Sequence, residues 1–480
     1  MMKKIFLLFM TALLLAGQSA AGEAAAKQAA AVSAPAARVQ AGTRLTNIRY
    51  GNSAAKLRIV LDMTNEPEYT LVRESNDTRL VINMSGIATS LKEAPAISTA
   101  GIRDIILGAY GSDTLQLIVD MDAALSVKAY TLKNPHRLVI DIQKEYEQES
   151  SQVISPGLNL IKYVRADSRG MLTAYALEAD RSRFELELAL AGDSISAGRR
   201  SLKRIAQDNH AVAAVNGGYF SLDGSLIGNT RINGQTAGTT YYQRTSLGFM
   251  PDGTLKLAPS EYYGEVDING QKVYLSGVNC PRGENAVILY NSLFGSYTGT
   301  NEFGMEYVIQ DGRVLAVNQA NSFIPAGGQV ISVHGTARDA FAGVRLGDRV
   351  TVGENFGGEL DAAANIIGAG PELLRNGQVH VTAVQEQFPA DIIRGRAPRT
   401  ALGIKADGRV LLLVVDGRQS HSIGATLTET AQLLQKFGAV DGFNLDGGGS
   451  SEMVVQGQLV NSPSDGGERP VGSAIVALKK

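Results

Sequence analysis

Tryptophan is absent from the 480 residues, and cysteine occurs once, as Cys280. One cysteine cannot close a disulfide within the chain, nor supply a metal site built from several thiolates. Charge of either sign is scarce in excess: 45 Lys and Arg stand against 47 Asp and Glu. That balance gives no clustered basic footprint for nucleic acid, so no nucleic-acid partner is expected. No Gly-x-Ser-x-Gly or His-Glu-x-x-His occurs, and no Lys follows the glycines 447–449. Ordinary serine hydrolases, zincins and nucleotide P-loops are therefore disfavoured. His334 and His380 stand at no metal-ligand spacing from one another. After the N-terminus no apolar run is long enough for a membrane helix, so the product is not expected to span a bilayer.

What is present begins with an address. Lys3-Lys4, the apolar run Ile5 to Ala16 and the small residues Ser19-Ala20-Ala21 have the order of a secretory signal peptide, residues 1–21. Gln18 stands where a lipoprotein signal would carry its cysteine. The expected product is thus exported and not lipidated, in the periplasm or cell envelope. Residues 22–41 are Ala-rich with scattered polar residues and read as a linker.

Residues 42–145 repeat themselves at an offset of 58. Leu57-Arg58-Ile59-Val60-Leu61-Asp62-Met63 matches Leu115-Gln116-Leu117-Ile118-Val119-Asp120-Met121, and Arg79-Leu80-Val81-Ile82-Asn83-Met84 matches Arg137-Leu138-Val139-Ile140-Asp141-Ile142. Apolar residues at every second position mark half-buried strands. Two like halves with Asn, Asp, Gly and Pro turns predict a small β-sandwich. The paired runs resemble the AMIN domain of bacterial envelope proteins. That resemblance implies envelope targeting, with peptidoglycan contact as one route. Residues 146–155 are charged and rich in Gln and Ser, and read as a second linker before Pro156-Gly157.

Residues 156–480 predict an α+β, β-rich domain with a mixed sheet, so the whole chain is multidomain. Six Asp-Gly and Asn-Gly pairs between residues 223 and 377 read mostly as hairpin turns. Arg409 to Val415 is a nearly unbroken apolar run, a central strand buried on both faces, with Asp416 where it leaves the core. Thr426-Leu427-Thr428-Glu429 is a capping box that starts a helix ending at Gly438. The next strand delivers Asn444 and Asp446 to its C-terminal end. Two strands joined through a helix are expected to run parallel, which puts Asp416 and Asp446 at one edge and in one cleft. Arg399 precedes the strand-like Ala401 to Ile404 and offers a planar cation for phosphate. Asn216 ends a short buried strand and can point into a cleft. The plainer alternatives are an Asn216-Gly217 turn, Arg399 as an ion-pair partner of Asp416, and a Gly447 run that is only a turn.

Asn216-Gly217-Gly218-Tyr219-Phe220, Gly370-Pro371, Ala397-Pro398-Arg399-Thr400, Asp416-Gly417-Arg418 and Asn444 to Ser450 occur in this order. Together they resemble the phosphodiester glycosidase family, whose animal relatives remove GlcNAc from GlcNAc-1-phosphodiesters. Arg469 falls where a late Arg is common in that family, while Glu372 and Glu452 lie inside the motifs without an assigned role. The resemblance implies hydrolysis of a sugar-1-phosphodiester at the anomeric C–O bond, on an envelope glycan or exopolysaccharide. Arg399, the N–H groups of Gly447, Gly448 and Gly449, and Ser450 would bind phosphate. Asp416 and Asp446 would stabilise the oxocarbenium-like centre, one as base or nucleophile. Asn216 and Asn444 would hold sugar hydroxyls, with Gly217, Thr400, Arg418 and Arg469 completing the substrate site. No cofactor is required. The alternatives are Asp416, Asp446 and nearby carbonyls holding Ca²⁺ or Mg²⁺ in a metal-dependent phosphodiesterase, or a glycan-binding module without catalysis; a structural Ca²⁺ is compatible with the glycosidase and the phosphodiesterase alike.

Overall fold

The computed structural model describes residues 32–33 and 42–480, apart from 54, 76, 100, 168 and 241. The expected signal peptide lies outside the described residues, as does the first linker except for residues 32 and 33. Those two are paired with Leu71 and Thr70 in a sheet rather than left as linker. Two units divide at about residue 142.

In the first unit, Lys56–Met63 and Thr114–Met121 alternate half-buried and buried positions identically along eight residues. The buried sets are Leu57, Ile59, Leu61 and Met63, and Leu115, Leu117, Val119 and Met121. Each half of the repeat needs the other. Arg79–Ser85 of the first half pairs with Thr114–Met121 of the second, and Lys56–Met63 of the first neighbours Arg137–Gln143 of the second. The result is two five-stranded sheets, each built from both halves.

The second unit is built around Val410–Val415, whose six residues are all fully buried. Leu412 and Val414 face one core with Val215, Met453 and Ile475. Leu411, Leu413 and Val415 face the opposite core under helix Leu427–Lys436. Burying each such side chain contributes about 1.5–3 kcal/mol, an upper figure because unfolded chains also hide some surface. The helix begins with the expected capping box: the Thr426 hydroxyl accepts from the Glu429 N–H, and the Glu429 carboxylate accepts from the Thr426 N–H.

The principal sheet has eight strands, in the order Tyr146–Ser155, Leu158–Asp167, Gly170–Ala179, Val410–Val415, Arg399–Lys405, Ala439–Asn444, Glu372–Arg375 and Gln378–Val379. Against it lies a five-stranded sheet, Phe184–Leu190, Ser473–Lys479, Ala213–Asn216, Met453–Val455 and Gln458–Leu459. Helix Leu202–Asp208 covers the outer face of this second sheet through Leu202, Ile205 and Ala206. The core is therefore helix, sheet, sheet, helix. Smaller sheets fill the region between residues 217 and 371. Four of the turn pairs there and at its end, 233–234, 269–270, 311–312 and 376–377, have positive φ at both residues, as two-residue hairpin turns require.

One expectation needs correction. Residues 146–155 are not a linker but the edge strand Tyr146–Ser155, paired antiparallel with Leu158–Asp167. Its middle residues are exposed, so its composition reads as solvated chain although its backbone is paired. The expected mixed sheet is present, although the principal sheet is antiparallel between all its neighbours. Parallel pairing in this unit lies in a smaller sheet, between Gly277–Val278 and Val287–Asn291.

Candidate active site

The strand Arg399–Lys405 runs antiparallel to both Val410–Val415 and Ala439–Asn444. Those two flanking strands hence share a direction, as expected of a helix-linked pair, although Arg399–Lys405 lies between them. Arg399 at the start of the middle strand, and Asp416 and Asp446 just past the ends of its neighbours, consequently meet at one sheet edge.

Asn216 reaches this edge from the facing sheet, but its carboxamide is fully employed. Its Oδ1 accepts from Thr400 Oγ1 at 2.7 Å and from the Glu452 N–H at 3.3 Å, while its Nδ2 donates to the Asp446 carbonyl at 2.7 Å. Both Asn216 and Thr400 are completely buried. They tie the two sheets together and hold the Asp446 backbone, so neither side chain is left to grip a sugar. Gly217 is likewise structural: its carbonyl accepts from the Asp446 N–H at 3.2 Å, and a Cβ there would lie 2.4 Å from Ser473 Oγ.

Asp446 is half-buried and opens onto a cleft of about 790 Å³, lined also by Arg199, Phe220, Ser221, Leu222, Asp223, Ser450 and Arg469. Burial pushes its carboxyl up to about 6, partly offset by the nearby Ser450 hydroxyl, the Gly447 N–H and the Arg469 guanidinium. Asp446 Oδ1 accepts from that N–H at 2.9 Å.

The glycine run forms a single 3-10 turn, Gly448–Ser450. The Gly447 N–H is spent on Asp446, and the Gly448 N–H donates to the Pro398 carbonyl at 2.9 Å. The glycines are needed for space instead. A Cβ on Gly449 would lie 2.2 Å from Arg469 Nη2 and 2.3 Å from Asp465 Oδ2. The Arg469–Asp465 ion pair, at 2.6 Å, rests directly on that glycine. Arg418, exposed and held at φ +61°, brings its guanidinium to 3.6 Å from where a Cβ of Gly448 would stand.

Asp416 does not line this cleft with Asp446. It is buried, and its Oδ1 accepts from Asn461 Nδ2 and the Ser462 N–H, each at 3.0 Å. Its Oδ2 lies 3.1 Å from His421 Nε2, and the His421 side chain is 40% exposed. A carboxylate so occupied orients a loop and an imidazole; it is not poised to take a proton from substrate. Arg399 does not pair with it either. The Arg399 guanidinium donates to the carbonyls of Ala425 (3.1 Å), Ile392 (3.1 Å) and Gly395 (2.6 Å), and burial lowers its pKa. Arg399 therefore braces two backbone segments below the site, the short helix Ala390–Arg394 with its cap Gly395, and the chain at Ala425.

Asn444 is buried, with Nδ2 donating to the Tyr219 hydroxyl at 3.2 Å and Oδ1 lacking a partner. The Tyr219 hydroxyl donates in turn to the Gly370 carbonyl at 3.0 Å, and burial raises its pKa. Glu452 is completely buried. Its Oε1 accepts from the Arg469 N–H at 2.6 Å, its Oε2 has no partner, and burial pushes its pKa up to about 8. Buried polar atoms without partners are uncommon. Here Asn444 Oδ1, Ser451 Oγ and Glu452 Oε2 all fall within nine residues.

Sequence reasoning passed over Arg199 and His421, and quoted Tyr219 and Glu452 without giving them a role. Arg199 precedes a short helix and carries no motif. A signal for His421 existed in its position five residues after Asp416, within the loop that Asp416 begins.

Comparisons with known proteins agree with this architecture. Residues 47–142 match the AMIN domain, and residues 303–478 match the phosphodiester glycosidase family. An uncharacterized SPbeta prophage-derived protein of Bacillus subtilis (strain 168) is 43% identical over 74 residues, 15% of this chain and 12% of that protein. The N-acetylglucosamine-1-phosphodiester alpha-N-acetylglucosaminidase of Bos taurus is 30% identical over 155 residues, 30% of this chain and 29% of that enzyme. The chain thus spans less than a third of the length of either relative. A crystal structure of a hypothetical protein from Synechocystis has a similar fold, with a TM-score of 0.62 at 22% identity over 92% of this chain and 81% of that one. By these matches, residues 47–142 resemble an AMIN domain and residues 303–478 a phosphodiester glycosidase domain.

Proposed function

We propose that the protein is an exported hydrolase that cleaves a sugar-1-phosphodiester, of the GlcNAc-1-phosphodiester type, at the glycosidic bond. The observation that carries this reading is Asp446, a carboxylate raised to about 6 and facing a cleft that also presents Arg199, Arg469 and, on its rim, Asp223. A phosphodiester bound by the two arginines would have its sugar carbon towards Asp446. The ionised carboxylate takes a proton from water as the water oxygen bonds to C1. The C1–O bond to phosphorus breaks, and its electron pair leaves on the phosphate. Neutralising that developing charge is the arginines' task, since phosphate leaves without an acid to protonate it. The nearby Arg418 adds positive charge above the glycine turn. The AMIN domain supports an envelope location, with a glycan or exopolysaccharide as substrate and peptidoglycan as the contact of the first unit.

The test is incubation of the purified protein with GlcNAc-1-phosphate methyl ester, with and without EDTA. Free GlcNAc in both is expected. GlcNAc-1-phosphate as product, formed only without chelator, would contradict the reading. Asp446→Asn should lower kcat by roughly a thousand-fold or more while leaving the thermal midpoint nearly unchanged.

A further inference from the structure

The most exposed large apolar side chain among the described residues stands at the rim of the cleft. It is Leu222, at 85%. An exposed leucine on a loose loop would mean little, but this loop is fixed at both sides. The Ser221 N–H donates to the Ser225 carbonyl and the Gly224 N–H to the Ser221 carbonyl, both at 2.9 Å, and the Ser225 N–H donates to Asp223 Oδ1 at 3.0 Å. A Cβ on Gly224 would lie 2.4 Å from the Gly198 carbonyl, so the turn is pressed against the chain that presents Arg199. Phe220 is half-buried in the neighbouring core and lines the same lip. The cleft consequently has a charged end, Asp446 with Arg199 and Arg469, and a fixed lip whose apolar side chains are Phe220 and Leu222, with the Asp223 carboxylate beside them turned to the Ser225 N–H.

We infer that this lip is the subsite for the alcohol half of the phosphodiester, and that this alcohol is a hydrocarbon chain rather than a second sugar. The inference rests on the reaction proposed above. With the sugar at Asp446 and the phosphate on the arginines, the group beyond the phosphate is the one left to meet Leu222 and Phe220. A hydrocarbon chain there removes leucine and phenylalanine surface from water, whereas a hydroxylated sugar ring gains much less from the same contact.

The experiment compares kcat/KM for the hexyl and methyl esters of GlcNAc-1-phosphate, with the intact protein and with Leu222→Ser. Leu222 is nearly fully exposed, so its replacement leaves the fold intact. The hexyl ester should be preferred about ten-fold or more, the gain from taking one leucine out of water. In Leu222→Ser the ratio should fall towards one. Equal rates for the two esters, or a preference that survives Leu222→Ser, would overturn the proposal. Calorimetric binding of methyl hexyl phosphate and dimethyl phosphate separates the subsite from the reaction. If no ester is hydrolysed, a ten-fold tighter binding of the hexyl compound that Leu222→Ser removes upholds the apolar subsite and sinks the glycosidase reading. No difference in binding sinks the subsite itself.

Discussion

Asp446 and Asp416 are the same residue type at the same sheet edge, yet their surroundings give them different work. Asp416 is enclosed by Asn461, Ser462 and His421. Asp446 faces the cleft and is raised by burial to about 6. Whether it attacks C1 itself or activates water, it must be ionised. The account accordingly predicts that kcat/KM falls about ten-fold per pH unit below about 6 and is level above it, measured on the methyl ester. Glu452 makes a separate prediction about stability. Its pKa is raised from 4.5 to about 8 in the folded state. Between those values the folded protein keeps a proton that the unfolded chain has released, so this group lowers stability as pH rises through that window. Glu452→Gln cannot ionise and can still accept from the Arg469 N–H. It should therefore be more stable than the parent at pH 9, by on the order of 2–4 kcal/mol, with little difference at pH 4. Urea unfolding at the two pH values checks this. The role of Asp416 was not legible in the sequence, because two of its three partners, Asn461 and Ser462, lie 45 and 46 residues away.

Elements were legible where one physical cause dominates the sequence. Val410–Val415 is apolar throughout because both its faces are buried, and Thr426 with Glu429 announces a helix start through its own local hydrogen bonds. The edge strand Tyr146–Ser155 was hidden for the opposite reason. Its side chains lie mostly in water, and only its backbone belongs to the sheet. The glycine run misled in a third way: flexibility and anion binding suggest themselves, while the structure uses Gly449 to make room for Arg469 and Asp465. The edge strand has a practical consequence. A fragment beginning at residue 143 should melt several degrees above one beginning at 156, which loses the pairing to Leu158–Asp167 and exposes a new sheet edge. Equal melting temperatures would show that the strand adds nothing to the unit.

At the scale of the whole molecule, two domain types were readable in advance, each from a pattern that survives without alignment. An offset of 58 residues exposed the first unit, and an ordered set of short motifs exposed the second. The motif residues do gather at one sheet edge, but most of them build it: Asn216, Gly217, Thr400, Arg399 and Asp416 hold backbone or loops in place. The surface offered to a ligand comes from Asp446, Ser450 and Arg469 together with Arg199 and the Phe220–Leu222 lip. That division leaves two carboxylates in the cleft, Asp223 tied to its own turn and Asp446 beside two arginines, and assigning the chemistry to Asp446 commits the account to cleavage at the sugar carbon. The most direct test is hydrolysis of GlcNAc-1-phosphate methyl ester in ¹⁸O-labelled water, followed by mass spectrometry of both products. The account predicts the label at the anomeric oxygen of GlcNAc, after correction for its slow exchange with solvent, and unlabelled methyl phosphate. Label in the phosphate would mean that the P–O bond breaks, and would contradict it.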